Sequence, residues 1–110
     1  MILIAKRYLV PKGYTGITIY PFVFLRDKID ASNKELINHE RIHLRQQIEL
    51  GIVFFFLIYG VQYFIGLVKY RNHYQAYRNI IFEREAYRNE KDLNYLKKRP
   101  FWGFLRYLSV

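Results

Sequence analysis

The segment NHERIHLRQQ, residues 38–47, contains two histidines four residues apart, with a glutamate directly after the first. One turn of an α-helix is 3.6 residues, so His39 and His43 project from the same face and both imidazoles can bind one metal ion. Glu40 follows about 100° further round the helix, where its carboxylate can hold a metal-bound water without ligating the metal. The H-E-x-x-H pattern therefore predicts a zinc site with Glu40 as general base.

The residues before the motif predict the helix that this site requires. Ser32 followed by Glu35 three residues later has the pattern of a capping box, and apolar residues recur at helical spacing from Leu36 to Ile48. The alternative is a half-buried helix whose two histidines only form hydrogen bonds in the core. The complete motif on a capped helix favours zinc over that alternative.

Length and composition predict one domain with an anionic partner. The chain has 110 residues, 52% of them hydrophobic, and 18 Lys and Arg against 9 Asp and Glu. This balance favours binding to acidic lipid headgroups or nucleic acid. Because there is no cysteine, disulfides and thiolate metal sites are excluded, and His and carboxylate groups are the remaining zinc ligands.

The pattern along the chain predicts an α+β, mainly helical fold with a small antiparallel sheet at the N-terminus. Strands are predicted at residues 2–10 and 16–20, with a turn between them and a further extended piece at 22–25. The predicted order in one domain, 1–110, is a β-rich part (1–28), the H-E-x-x-H helix (32–50), an apolar helix (51–70), a glutamate-bearing helix (75–98) and an aromatic, basic tail (99–110).

Residues 51–68 carry no charge and would form a helix about 27 Å long, enough to cross a bilayer core. Gly60 and Gln62 near its centre, and basic residues on both sides, favour a buried or interfacial helix, or a break at Gly60, over a crossing. Lys6 and Arg7 interrupt the first apolar run, so no secretory signal is expected. We expect a cytoplasmic protein, peripheral at the membrane, with a single-span protein as the alternative.

Catalytic zinc requires one further protein ligand, for which His73, Glu83, Glu85 and Glu90 are candidates. Glu83 lies on an apolar helical stripe, where an unpaired carboxylate is costly unless a cation balances it. Glu85 falls on a more polar line and is predicted to be solvated, and His73 is predicted to be exposed or to orient substrate. Glu83 is therefore the predicted ligand.

The pair HERIH and FEREAY resembles the gluzincin class of zinc metallopeptidases, including small bacterial membrane-associated members. In such proteins a glutamate on a later helix, commonly in E-x-x-A-D, completes the site. Glu83 matches that glutamate, and Tyr87 stands where the aspartate that holds a zinc-ligating histidine is usual. The resemblance implies a minimal zincin-like fold, a substrate-lining strand such as 16–20, and peptide hydrolysis. Tyr77 or Tyr87 can donate to the oxyanion, with simple packing as the alternative.

Three functions remain open at this point. The leading one is a zinc-dependent metallopeptidase that acts on a peptide or protein substrate at the cytoplasmic face of a membrane, with zinc bound by His39, His43 and Glu83. The second is a non-catalytic zinc protein whose aromatic surface binds a partner. The third is a nucleic-acid-binding module, suggested by the charge and by basic, aromatic stretches such as KKRPFWGFLRY. The sequence does not predict an oligomeric state.

Overall fold

A computed structural model describes residues 1–108, and the mainly helical α+β fold predicted from the sequence is confirmed. The strands are β1 (Ile2–Ala5), β2 (Gly16–Ile19) and β3 (Phe22–Leu25), and the helices are α1 (Lys34–Leu50), α2 (Ile52–Tyr70), α3 (His73–Arg78), α4 (Ile81–Asn89) and α5 (Tyr95–Lys98). Short 3-10 segments occupy Arg7–Leu9, Lys28–Ser32 and Gly103–Tyr107. The last two residues of the predicted tail, 109 and 110, lie outside the described residues.

The sheet has the order β1-β3-β2 and is mixed. The predicted antiparallel arrangement holds for β2 and β3, but β1 pairs with β3 in parallel. The long first strand predicted for residues 2–10 is also wrong, because the chain leaves the ladder after Ala5 and forms a 3-10 turn. The segment between β1 and β2 thereby carries β2 to the opposite edge of β3 from β1. Val23 and Leu25 of the central strand β3 pack against Leu44 of α1.

Helix α1 begins one residue later than the capping box predicted. The side chain of Asn33 accepts a hydrogen bond from the backbone N–H of Leu36 (3.2 Å) and is the N-cap. The predicted cap, Ser32, belongs to the preceding 3-10 segment and donates its hydroxyl to the carbonyl of Ile29. The helix that carries the H-E-x-x-H motif is otherwise close to the predicted range.

Helix α2 is continuous from Ile52 to Tyr70, so the predicted alternative of a break at Gly60 is wrong. It follows α1 after a single residue, Gly51, whose φ of 85° is a conformation that glycine adopts readily. Within residues 1–108 it is the one helix long and apolar enough to cross a membrane, and only 11% of that segment is buried.

The single glutamate-bearing helix predicted for residues 75–98 is wrong, because this part of the chain forms α3, α4 and α5. The first interruption lies at Asn79 and Ile80. The side-chain amide of Asn79 donates to the carbonyl of Gln75, while the N–H of Ile81 donates to the Oε1 of Gln62 on α2. Both bonds replace hydrogen bonds that a continuous helix would form. The bond to Gln62 also connects the start of α4 to the middle of α2.

The chain reverses direction after α2, and this reversal brings α4 back to α1. A Cβ added at Gly66 would lie 2.8 Å from the Cα of Ala76, so α2 and α3 are in close contact. Further back along α2, Phe55 stacks on Phe82 of α4 with ring centroids 4.5 Å apart. Phe104 from the tail packs edge-on against the same Phe82 ring. This aromatic cluster holds α4 in position above α1.

Candidate metal centre

Three potential ligand atoms converge between α1 and α4. The Oε1 of Glu83 lies 3.1 Å from the Nε2 of His39 and 3.1 Å from the Nε2 of His43, and the two nitrogens are 3.2 Å apart. All three side chains are buried. The structure thus brings together the three residues that the sequence predicts as ligands, although Glu83 is 40 residues beyond the second histidine.

This spacing fits a tetrahedral zinc ion. Bonds of 2.0–2.1 Å at a tetrahedral angle place neighbouring ligand atoms about 3.3 Å apart. The three observed separations are within a few tenths of an ångström of that value. Ca²⁺ and Mg²⁺, which prefer six or more oxygen ligands, suit these three residues less well, because two of the three ligand atoms are imidazole nitrogens.

The outer ring nitrogens of both histidines have hydrogen-bond acceptors. The Nδ1–H of His39 donates to the Oε1 of Glu90 at 2.8 Å, and the Nδ1–H of His43 donates to the Oε1 of Gln46 at 2.7 Å. The orientation of the Gln46 amide is fixed, because its Nε2 donates to the carbonyl of Phe82 and to Glu85. In the neutral tautomers that these bonds select, both Nε2 lone pairs face the inside of the site.

A carboxylate oxygen and two nitrogen lone pairs within 3.2 Å repel each other unless a cation or protons lie between them. In the metal-free protein, protons take that place. Although burial alone lowers it, hydrogen bonds to Glu83 and Glu90 raise the pKa of His39 to about 10, and Glu83 likewise raises the pKa of His43. The two histidines in turn outweigh burial and hold the pKa of Glu83 below its usual range.

Glu40 lies beside the three converging atoms, and β2 holds it there. The hydroxyl of Thr18 donates to the Oε1 of Glu40 at 3.1 Å, and the nearer approach of Glu40 to the histidines is 4.0 Å, from its Oε2 to the Nε2 of His39. Burial raises the pKa of Glu40, and the two histidines oppose that shift. A raised carboxyl pKa suits a group that accepts and returns a proton near neutral pH.

His39, Glu40 and His43 by themselves also form a compact group that could hold a metal ion. Glu83 is the better third ligand, because its Oε1 is 3.1 Å from both histidine nitrogens, whereas Glu40 stays at 4.0 Å. The other oxygen of Glu83 accepts a hydrogen bond from the hydroxyl of Tyr59 at 2.7 Å. Burial, together with Glu83, raises the pKa of that hydroxyl, which therefore remains a donor.

A cavity of about 280 Å³ opens onto Glu40 and both histidines. Its walls are mainly apolar, and they include Ile17 from β2 and Phe55 and Phe56 from α2. A second cavity of about 490 Å³ also reaches His39 and Glu40, and its lining is more polar.

Strand β2 is the edge strand that faces this site, but part of its free edge is occupied. The side chain of Gln47 accepts from the N–H of Tyr20 at 2.7 Å and donates to the carbonyl of Thr18 at 2.8 Å. A bound extended peptide could pair with β2 only on the N-terminal side of these bonds, next to Gly16. Gly16 lies beside the carboxyl group of Glu40.

Glu90 supplies the carboxylate that the resemblance led us to expect at position 87. Tyr87 instead packs its ring against His39, with centroids 4.5 Å apart, and its hydroxyl is 2.7 Å from that of Tyr77. Sequence reasoning named Glu90 only as a possible ligand. Its spacing of seven residues from Glu83, two helical turns, was the available signal that both lie on one face.

The prediction that Glu85 is solvated is wrong. Glu85 is fully buried, and its carboxylate accepts hydrogen bonds from Tyr95, Arg99 and Gln46. Arg99 also forms a two-pronged ion pair with Glu49, at 2.7 and 2.9 Å. The tail supplies this buried arginine, and the network reaches the candidate metal centre through Gln46 and His43.

His73 is not among the converging ligand atoms. It is exposed, which was one of the two predicted alternatives for this residue. Its two ring nitrogens contact the hydroxyls of Tyr14 and Tyr63. Tyr77 lines both cavities. Its suggested hydrogen bond to an oxyanion stays a prediction.

Comparison of the chain with protein-family models, with curated proteins and with solved structures gave no significant match.

Proposed function

We propose that this chain is a zinc-dependent peptidase whose metal is held by His39, His43 and Glu83. The observation that carries the proposal is the convergence of two imidazole nitrogens and one carboxylate oxygen at 3.1–3.2 Å on one buried point between α1 and α4. Zinc in this position supplies a Lewis acid that polarises a carbonyl and makes water nucleophilic near neutral pH. Hydrogen bonds to Glu83 alone would not require the two Nε2 atoms to lie 3.2 Å apart, where they repel each other whether both are neutral or both are protonated.

The residues around the centre have distinct roles in this proposal. Glu40 takes the proton from the attacking water and later delivers it to the leaving amine, while Thr18 fixes the direction of its carboxylate. Glu90 and Gln46 hold the two imidazoles in the tautomers that leave Nε2 free. Tyr59 holds the second oxygen of Glu83, which leaves its Oε1 facing the two histidines.

The shape of the site supports a peptide as substrate. The edge strand β2 lies next to Glu40, where an extended backbone can add to the sheet beside Gly16. The apolar cavity next to it, with Phe55 and Phe56 in its wall, has room for a large apolar side chain. These features support cleavage next to a bulky hydrophobic residue.

The experiment that tests the proposal compares Glu40→Gln with the wild type on a library of quenched fluorescent peptides. Glu40→Gln keeps the shape of the side chain but removes the base, so zinc binding should persist while hydrolysis falls by about 100-fold or more. Arg41→Gln changes an exposed residue on the same helix that lines neither cavity, so it is the control and should cleave like the wild type.

Hydrolysis at the wild-type rate by Glu40→Gln would contradict the proposed role of this residue. Zinc binding without cleavage of any peptide by the wild type would favour the non-catalytic zinc protein instead. Salt-sensitive nucleic-acid binding with no zinc bound would favour the nucleic-acid-binding module.

A further inference from the structure

The outer face of α2 is an apolar surface that the rest of the described chain leaves open. We define it by seven large side chains that are each 52–77% exposed: Val53, Phe54, Leu57, Val61, Phe64, Ile65 and Val68. Their spacing of one, three or four residues places them on one side of the helix. A 19-residue helix is about 28 Å long, so this stripe is larger than the scattered apolar residues of an ordinary protein surface.

The charges next to the outer face are positive. Lys69 is in the last turn of α2, and Arg71 directly follows the helix. Residues 50–82 contain no aspartate or glutamate. The surroundings of the apolar stripe therefore complement a negatively charged partner.

The structure disfavours a bilayer crossing by α2, because α3 packs along its other side and Phe55 stacks on Phe82 of α4. Tyr63 contacts His73, and Gly66 lies against Ala76, so α3 runs alongside the C-terminal half of α2. The exposed side chains of α3 include His73 and Gln75, and Arg71 precedes them. A perpendicular crossing would draw these polar groups into hydrocarbon, whereas a helix in the plane of the interface keeps them in water.

We propose that the outer face of α2 docks on a bilayer surface that contains anionic lipids, with the helix axis parallel to the membrane. A second copy of the chain is a less suitable occupant, because its segment 50–82 offers the same cations and no acidic side chain to Lys69 and Arg71. The opposite side of the helix contributes Phe55, Phe56 and Tyr59 to the cavity beside Glu40. Docking therefore holds that cavity next to the membrane surface.

The test measures co-sedimentation of the full chain with vesicles. The wild type should bind vesicles of phosphatidylcholine mixed with phosphatidylglycerol, bind pure phosphatidylcholine much less, and lose binding as salt is raised. The double variant Phe54→Ser/Phe64→Ser should bind at least about tenfold more weakly. Its matched control is Tyr8→Ser/Ile29→Ser, which changes two apolar residues outside α2 that are even more exposed and should bind like the wild type.

A second readout uses the absence of cysteine in the chain. A polarity-sensitive dye on Phe64→Cys should shift to shorter wavelength with anionic vesicles, and the same dye on Tyr8→Cys should not. Absence of binding by the wild type, or equal loss in both double variants, would overturn the proposal.

Two further outcomes identify other occupants and also overturn it. A dimer that only Phe54→Ser/Phe64→Ser disrupts, without vesicle binding, would show that a second copy covers this face. Resistance of the cellular protein to alkaline carbonate extraction would show a crossing helix. Docking does not depend on hydrolysis, so Glu40→Gln should bind vesicles like the wild type, and failure of one proposal leaves the other testable.

Discussion

Replacement of Glu90 by glutamine should weaken zinc binding without removing any ligand. Glu90 accepts the Nδ1–H of His39 at 2.8 Å, and the imidazole is only 7% exposed. The negative charge of Glu90 makes the Nε2 of His39 a stronger electron-pair donor to a metal. It also stabilises the tautomer in which Nε2 carries no proton. Glutamine keeps the length and one acceptor oxygen but removes that charge.

The expected size of the effect is a 10–100-fold increase in the dissociation constant for zinc. This corresponds to about 1.4–2.8 kcal/mol at 25 °C. A larger loss is not expected, because His43 and Glu83 are unchanged and the Glu90 side chain is itself 23% exposed, so water screens part of its charge.

Competition with a chromogenic zinc chelator, at fixed pH and salt, measures this constant. Glu35→Gln removes the same charge from an exposed position on α1 and should leave zinc affinity unchanged. Equal affinity in Glu90→Gln and the wild type would refute the role of Glu90. An equal loss in both variants would show that only net charge matters.

Three further changes test the packing and the electrostatics. Arg99→Met leaves two buried carboxylates unpaired and should cost about 3–5 kcal/mol in denaturant unfolding, whereas the exposed Lys98→Met should cost less than about 1 kcal/mol. Gly66→Ala forces a Cβ against the backbone of α3 and should cost about 1–3 kcal/mol, while Gly60→Ala meets no atom and should stabilise α2 by up to about 1 kcal/mol in thermal unfolding. In the metal-free protein the pKa of His39 is raised from 6.5 to about 10, so its stabilisation is complete below pH 6.5 and is lost as the pH rises towards 10. Relative to His39→Gln, the wild type should lose on the order of 3–5 kcal/mol over that window, and an increase with pH would contradict the assignment.

The convergence of the three candidate ligands could be expected from local periodicity, and their binding of a metal stays a prediction. His39 and His43 share a face of any helix, and Glu83 lies on an apolar stripe where a lone carboxylate needs a cation. The structure adds that the three are in contact. Helical content and the N-terminal sheet also follow from local patterns.

The features that sequence reasoning missed depend on contacts between distant segments. Glu85 appeared solvated because its partner Arg99 comes from the tail, 14 residues later and beyond the break between α4 and α5. The parallel pairing of β1 depends on the path of residues 6–15, which local strand propensity does not determine. The break at Asn79 depends on Gln62 of another helix, whose side chain takes the N–H that α3 would otherwise have used.

Elemental analysis of the purified protein tests the central claim most directly. The wild type and Glu40→Gln should each retain about one zinc per chain after dialysis, because both keep His39, His43 and Glu83. Glu83→Ala, with folding checked by circular dichroism, should retain little or none, since the two histidines then lose the carboxylate 3.1 Å away and Glu40 stays at 4.0 Å. A wild type that takes up no zinc, or a folded Glu83→Ala variant that retains one zinc per chain, would contradict the account.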